Sequence, residues 1–232
     1  MSDYGLRVLN DNSKLQIDSL YTNYVLWEHG ESSTTTKKNG YYDSVITFAA
    51  NNSQPPLIAI KPDTDDYCGL QYYYRSGSDY SGFNVLSEYL AVTFSWQAFI
   101  PTTSESSATY GLRVYNPSAV LVFDSGRASM VISDVDTANP AYTAVQTITH
   151  PSDSNAYYIV SPWGRIQTVG EWNGSTSKIR NYFPMLKSLS ATTVSFGGRE
   201  GTSVGSIPVE INQQRGFWPT LWTIITVKRM FF

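Results

Sequence analysis

Between residues 90 and 100 apolar and polar side chains alternate. Leu90, Val92, Phe94, Trp96, Ala98 and Ile100 share one side, and Ala91, Thr93, Ser95 and Gln97 share the other. A period of two places one set against a core and the other against solvent, which predicts a β-strand over 89–100. Shorter runs of the same kind predict strands at 44–49, 57–61 and 69–74, and then at 129–135, 142–149, 157–160, 165–169, 192–197 and 207–212. Residues 218–232 are a further long strand candidate. No window carries a 3.6-residue period. Many short strands at regular spacing predict sandwiches or barrels. Three stretches break the pattern. The polar run 31–40 predicts an exposed loop, the glycine-rich run 197–205 predicts a second, and 101–109 has no apolar period and predicts a linker.

The alternation also repeats as sequence. Tyr4-Gly-Leu-Arg-Val-Leu-Asn-Asp-Asn-Ser-Lys-Leu-Gln-Ile-Asp-Ser19 aligns without a gap on Tyr110-Gly-Leu-Arg-Val-Tyr-Asn-Pro-Ser-Ala-Val-Leu-Val-Phe-Asp-Ser125, and nine of sixteen positions are identical. Each copy predicts a β-hairpin. Asn10 to Ser13 and Asn116 to Ala119 supply turn chemistry, and Pro117 presets φ. Leu6, Val8, Leu15 and Ile17 in the first copy, and Leu112, Val114, Leu121 and Phe123 in the second, are predicted to be buried within domains. Phe123→Ala is then expected to cost about 3–5 kcal/mol, as for a core Phe. Gly5 and Gly111 suggest a bulge or a close backbone approach. The Asp-Ser pairs that end the copies, 18–19 and 124–125, are expected to bind free backbone donors.

A repeat separated by 106 residues predicts two related units. The expected fold is all-β: two tandem β-sandwich-like domains, 1–103 and 110–232, joined by a linker at 104–109. The second is longer, with its insertions expected around 150–205.

Composition agrees and narrows the function. The 232 residues carry 17 Tyr, 6 Trp and only 15% charged side chains, a strand-rich balance. A net charge of −3 lacks the basic footprint of a nucleic-acid binder. The single cysteine, Cys68, permits no internal disulfide and reads as a small buried hydrophobe. No basic and apolar leader stands before the first strand pattern, so synthesis in a cytoplasm is expected. No stretch reaches the roughly 18 apolar residues that a membrane helix needs.

Candidate chemistry is sparse. His29 and His150 have no ligand partner at metal-site spacing, and no cofactor is expected. The cluster Asp63, Asp65, Asp66 lacks the glycine and the trailing Glu of a calcium loop and reads as a solvated turn. Glu28, Asp43, Glu171 and Glu210 are the carboxylates from which a glycosidase pair would have to come; its separation is spatial, and an enzyme is not expected. Aromatic residues carry more signal. Tyr73, within a Tyr72-Tyr73-Tyr74 run, and Trp163 and Trp172 are candidates for stacking on a glycan or a partner. Trp218, Trp222, Met230, Phe231 and Phe232 put more large apolar surface near the end of this run of chain than a terminus usually exposes. They form the candidate subunit interface, together with the 197–205 loop. A terminal aromatic strand also occurs in outer-membrane barrels, but lipid-facing alternation does not recur along this chain.

The repeated Tyr-Gly-Leu-Arg-Val-x-Asn…Asp-Ser hairpin, at 4–19 and 110–125, resembles a segment of the small minor tail proteins of long-tailed bacteriophages, where a motif of this kind opens the chain and recurs near its middle. The resemblance covers about 32 residues directly. It implies a structural virion component at the distal tail tip, baseplate or fibre attachment region. The implied partners are other tail proteins, and the implied assembly is a homo-oligomer of three or six copies that follows tail symmetry. It carries no catalytic residues. The alternative expectation is a carbohydrate-binding adhesin that contacts a host-surface glycan or receptor.

Overall fold

The computed structural model describes residues 6–9, 13, 15–18, 22–38, 41–63, 66–138, 145–149, 156–161, 165–172, 177–207, 213–217 and 222–227. Among them the chain is all-β and contains no helix.

The first half begins with a hairpin of β1 (Arg7–Leu9) and β2 (Leu15–Asp18). It continues through β3 (Tyr24–Ser33), β4 (Thr36–Lys38), β5 (Tyr41–Asn52), β6 (Leu57–Pro62), β7 (Cys68–Ser76), β8 (Asp79–Ser87) and β9 (Thr93–Pro101). The second half opens with a hairpin of β10 (Arg113–Tyr115) and β11 (Leu121–Asp124). It continues through β12 (Ile132–Ala138), β13 (Val145–Thr149), β14 (Tyr157–Ser161), β15 (Arg165–Trp172), β16 (Ser177–Ser190), β17 (Thr193–Ile207), β18 (Gln213–Phe217) and β19 (Trp222–Val227).

Two large sheets face each other. Among the described residues, one has the order β12-β19-β14-β6-β9-β3, and the other β13-β17-β16-β7-β8-β5-β4, with β15 and β18 attached beside β16. With β4 at the end of the second set aside, each order of described strands reads alike from its two ends inward. β3, β9 and β6 in the first half stand as β12, β19 and β14 do in the second, and β5, β8 and β7 stand as β13, β17 and β16. The match extends to register. The irregularity between Leu26 and Glu28 where β3 pairs β9 recurs between Ile132 and Asp134 where β12 pairs β19, and these residues are 106 apart. Among the described residues β15 and β18 have no counterpart in the first half, and β4 has none in the second.

Each half is a sandwich with its own apolar filling. In the first, Ile46, Phe48, Cys68, Phe83 and Val85 from one sheet meet Ile58, Ile60, Phe94, Trp96 and Ala98 from the other. In the second, Ile148, Leu186, Val194 and Phe196 meet Tyr158 and Ile224. Alternating strand residues fill such a core because every second side chain points the same way. The halves join edge to edge through antiparallel pairing of β6 with β14, at Ile60 and Tyr158, and of β7 with β16, at Cys68 and Leu186. The division expected at 104–109 therefore separates like-ordered halves in sequence, while both sheets run unbroken across it.

The six-stranded sheet also curls on itself. The Leu26 N–H donates to the Ala128 carbonyl, and the Met130 N–H donates to the Tyr24 carbonyl, each at 2.8 Å, with Val25 bridging Ser129 between them. Its two edges thus meet around a third cluster made by Tyr24, Leu26, Leu57, Ala59, Phe99, Met130, Tyr157, Ile159 and Ile225. Closing a sheet this way satisfies edge groups that would otherwise be open to foreign strands.

Several expectations from sequence change here. The polar run 31–40 includes the end of β3 and all of β4, because hydroxyl side chains are compatible with an outward strand face. The glycine-rich run 197–205 is not a loop; it lies within β17, paired along β16. The strand expected over 89–100 starts at Thr93, since Tyr89 and Leu90 are held in a turn by the Asp66 carboxylate, which accepts both of their N–H groups at 2.9 and 2.7 Å. That bonding, with the Tyr67 N–H on its other oxygen, is the role the structure gives Asp66.

Candidate interaction surface

The repeat hairpins form two small sheets of their own, outside both large ones. Their geometry repeats as closely as their sequence. Arg7 pairs Asp18, Val8 pairs Ile17 and Leu9 pairs Leu15; Arg113 pairs Asp124, Val114 pairs Phe123 and Tyr115 pairs Leu121. Both carry a bulge at the same step, and both turns hold a left-handed residue at the same place, Ser13 at φ 59° and Ala119 at φ 58°. Asn116 builds the second turn: its Oδ1 accepts the N–H groups of Ser118 and Val120, both at 2.9 Å.

The second hairpin is strapped down by the segment before it. Asp124 accepts the Ser106 N–H at 2.7 Å and the Gly126 N–H at 2.8 Å, and pairs with Arg113 Nε at 3.3 Å. Arg113 donates to the carbonyls of Ser106 and Ala108 and pairs with the Glu105 carboxylate, each at 3.0 Å. Arg127 donates to the carbonyls of Ser104 and Glu105, and the Tyr115 hydroxyl donates to Glu105 at 2.8 Å. The Ser106 N–H, followed by the Gly126 N–H and the Arg113 guanidinium, outweighs burial and holds the Asp124 carboxyl down at about 2. Ser125 closes the hairpin base by accepting the Leu112 N–H through Oγ at 2.8 Å. Segment 104–108 is thus bonded to the second hairpin as a strap.

Each hairpin touches the body at the strand that follows the other copy. Gln16 makes a two-way bond with the main chain of Ile132: its Nε2 donates to the carbonyl at 3.0 Å, and its Oε1 accepts the N–H at 3.2 Å. The Val122 carbonyl accepts both the N–H and the side-chain amide of Asn23. The docking is unequal. Val114 and Leu121 are 9% and 4% exposed, but their counterparts Val8 and Leu15 are 36% and 37% exposed. A cleft of about 110 Å³ remains beside the first hairpin, lined by Leu15, Gln16, Thr22, Asn23, Tyr24, Met130 and Ile132.

Burial of the repeat residues is therefore corrected at several positions. Leu6, Val8 and Leu15 are exposed, as is Leu112; Ile17 and Phe123 are half-buried; only Val114 and Leu121 of the eight are buried. A two-stranded sheet has no second layer, so alternation alone does not cover its apolar face. Eight of the thirteen large exposed apolar side chains among the described residues lie in the two copies: Leu6, Val8, Leu9, Leu15, Tyr110, Leu112, Tyr115 and Val120. Sequence had assigned these positions to the core or passed over them. Two equal copies of one apolar hairpin face were the signal that could have identified them.

The other predicted positions are dispersed. Tyr73 is half-buried, donates its hydroxyl to the Pro56 carbonyl at 2.9 Å, and stacks edge-on against Tyr80, over which Arg75 lies. Burial, then Tyr80 and Tyr24, pushes its phenol upward. Trp172 lies in β15 opposite Ser177, and Trp222 in β19 opposite Ala138. As β19 lies between β12 and β14, 222–227 is an interior strand and not a free terminal face, and its Ile224 is fully buried. Trp163, Trp218, Met230, Phe231, Phe232, His150 and Glu210 lie outside the described residues. Glu28 accepts the Ala49 N–H through its carboxylate at 2.9 and 3.2 Å. Among the described residues no three His, Cys, Asp or Glu side chains cluster as a metal site.

The class defined by this geometry is an all-β protein of two like-ordered sandwiches joined edge to edge, each preceded by the same hairpin. Comparison with protein-family models, curated proteins and solved structures finds no match.

Proposed function

We propose that this chain is a structural component of a bacteriophage tail, bound to other tail proteins at the distal end. The observation that carries the reading is the pair of hairpins. The residues that resemble the tail-protein motif are the same ones that present apolar side chains to solvent, and clustered apolar surface marks protein contact. Projecting hairpins on a closed, two-layer body suit an assembly part, where subunits meet through repeated surface elements. On this reading the protein occurs in three or six copies and acts by holding neighbours in register. Mass spectrometry of purified virions tests it. The chain is expected among the particle proteins at a low, fixed copy number. Its absence from particles, with all of it free in the host cell, would sink the proposal.

A further inference from the structure

Two exposed apolar surfaces lie at opposite ends of one strand. At one end of β3 and β9, where Ser33 pairs Thr93, the turn 88–92 leads into β9. Three buried polar side chains fix its backbone. Asp66 accepts the N–H groups of Tyr89 and Leu90, Ser87 Oγ donates to the Leu90 carbonyl at 2.6 Å, and Thr34 Oγ1 accepts the Val92 N–H at 2.8 Å. Ser87 and Thr34 also bond each other at 2.6 Å, and the Glu88 N–H donates to the Tyr67 carbonyl. The turn so held leaves Tyr89 70% and Leu90 59% exposed. At the other end, where Tyr24 pairs Pro101, the second hairpin is bonded to Asn23 through the Val122 carbonyl. There Tyr110 is 92% and Leu112 49% exposed, and Val120 is exposed beside the hairpin turn.

We infer that copies of this chain associate head to tail, with the Tyr89–Leu90 turn of one copy seated on the second hairpin of the next. The occupant follows from the placement. β3 has ten residues and spans about 30 Å, so the two surfaces do not meet within one chain, and a second copy brings them together. Their forms are complementary. One is a turn with two adjacent large side chains in solvent, and the other is a two-stranded sheet whose exposed side chains have no second layer. A turn ordered in advance loses little entropy on binding, and a Tyr is a common anchor at protein interfaces. Charge agrees. Lys187 stands 6.0 Å from the ring of Tyr67, whose carbonyl holds the turn, and has no carboxylate partner among the described residues; Glu105 is 51% exposed beside the hairpin. A contact between two unlike surfaces leaves one of each open at every step, so it builds a ring or a stack and not an isolated pair. This deepens the assembly reading and rests on it only for where the assembly is used.

Sedimentation of the purified full chain tests the contact. The mass should rise with concentration above that of one chain. A turn variant, Tyr89→Ser with Leu90→Ser, should remain monomeric. So should a hairpin variant, Tyr110→Ser with Leu112→Ser and Val120→Ser. Mixed in equal amounts, the two should form a dimer and nothing larger, because each pair then holds one intact turn and one intact hairpin. An unaltered chain that stays monomeric at every concentration overturns the inference. So does either variant assembling as the unaltered chain does, or a mixture that stays monomeric while both variants keep the native circular dichroism. If a serine variant unfolds, a chain carrying both Leu90→Cys and Leu112→Cys decides instead. Oxidation should link it into a ladder of multiples beyond the dimer that neither single cysteine variant gives, and the lack of that ladder counts equally against the contact. Cys68 is fully buried and does not compete. None of these outcomes bears on whether the protein is in virions, which mass spectrometry decides separately.

Discussion

Tyr24 and Met130 are neighbours in space and counterparts in the repeat. Met130 lies 106 residues after Tyr24, and its N–H donates to the Tyr24 carbonyl at 2.8 Å. A residue bonded to its own equivalent marks a pseudo-two-fold axis, as in an isologous dimer interface. The opposite side of the molecule agrees. Leu57 pairs Phe99 as Tyr157 pairs Val227, so Ile60 and Tyr158, which meet across the seam, have Val160 and Ile58 as counterparts. These four line an apolar cavity of about 30 Å³ with Gly69, Leu70, Pro184 and Leu186. Both contacts between the halves thus bring like-placed residues of the two together.

Gly111 holds φ at 138°, and a Cβ there would come within 2.3 Å of the Ser125 oxygen. Gly111→Ala should therefore strain the backbone and break the Ser125 bond to Leu112. A loss of about 1–3 kcal/mol is expected by chemical denaturation. Gly77→Ala, at φ 64° with open space around it, should cost less, about 1 kcal/mol. Equal losses would mean that the contact with Ser125 is unimportant.

Acid should loosen the strap. The Asp124 carboxyl is held at about 2 in the folded protein, below its ordinary 3.8. A depressed carboxyl contributes stability above the unfolded value, and that contribution is lost as pH falls from about 4 to about 2. The thermal midpoint of Asp124→Asn should be lower at neutral pH and should fall less than that of the unaltered protein across this window. Parallel curves for the two proteins would contradict the assignment.

Cys68 is fully buried at the seam, opposite Leu186 in the pairing of β7 with β16. Burial first, then the Asp66 and Asp63 carboxylates, pushes its thiol well above the ordinary range. Labelling by iodoacetamide should be negligible in the native protein and should follow unfolding with denaturant. Rapid labelling of the native state would mean that the halves part readily.

Phe83 and Phe94 are fully buried in the first sandwich, and replacing either by Ala should cost about 3–5 kcal/mol. Phe123 is half-buried. The core-Phe expectation drawn from sequence does not hold for it, and about 1–2 kcal/mol is the appropriate scale for partial burial. The comparison is read from urea midpoints of the three variants.

The sequence alone determined the local structure. Period-two alternation fixed the all-β class, and the repeat with its turn residues fixed two hairpins of identical register. Such features depend on the few neighbouring residues that set φ, ψ and side-chain facing. Tertiary structure decided what each face meets. Alternation at Val8 and Val114 is the same, yet one is 36% and the other 9% exposed, because burial depends on chain distant in sequence that alternation does not report. The run 197–205 looked like a loop by composition and is a strand, because seven of its residues pair with β16 and so satisfy its backbone regardless of glycine content. The joining of β6 to β14 and β7 to β16 was equally hidden. Any strand edge offers the same donors and acceptors, and only the global packing of two like-ordered halves selects which edges meet.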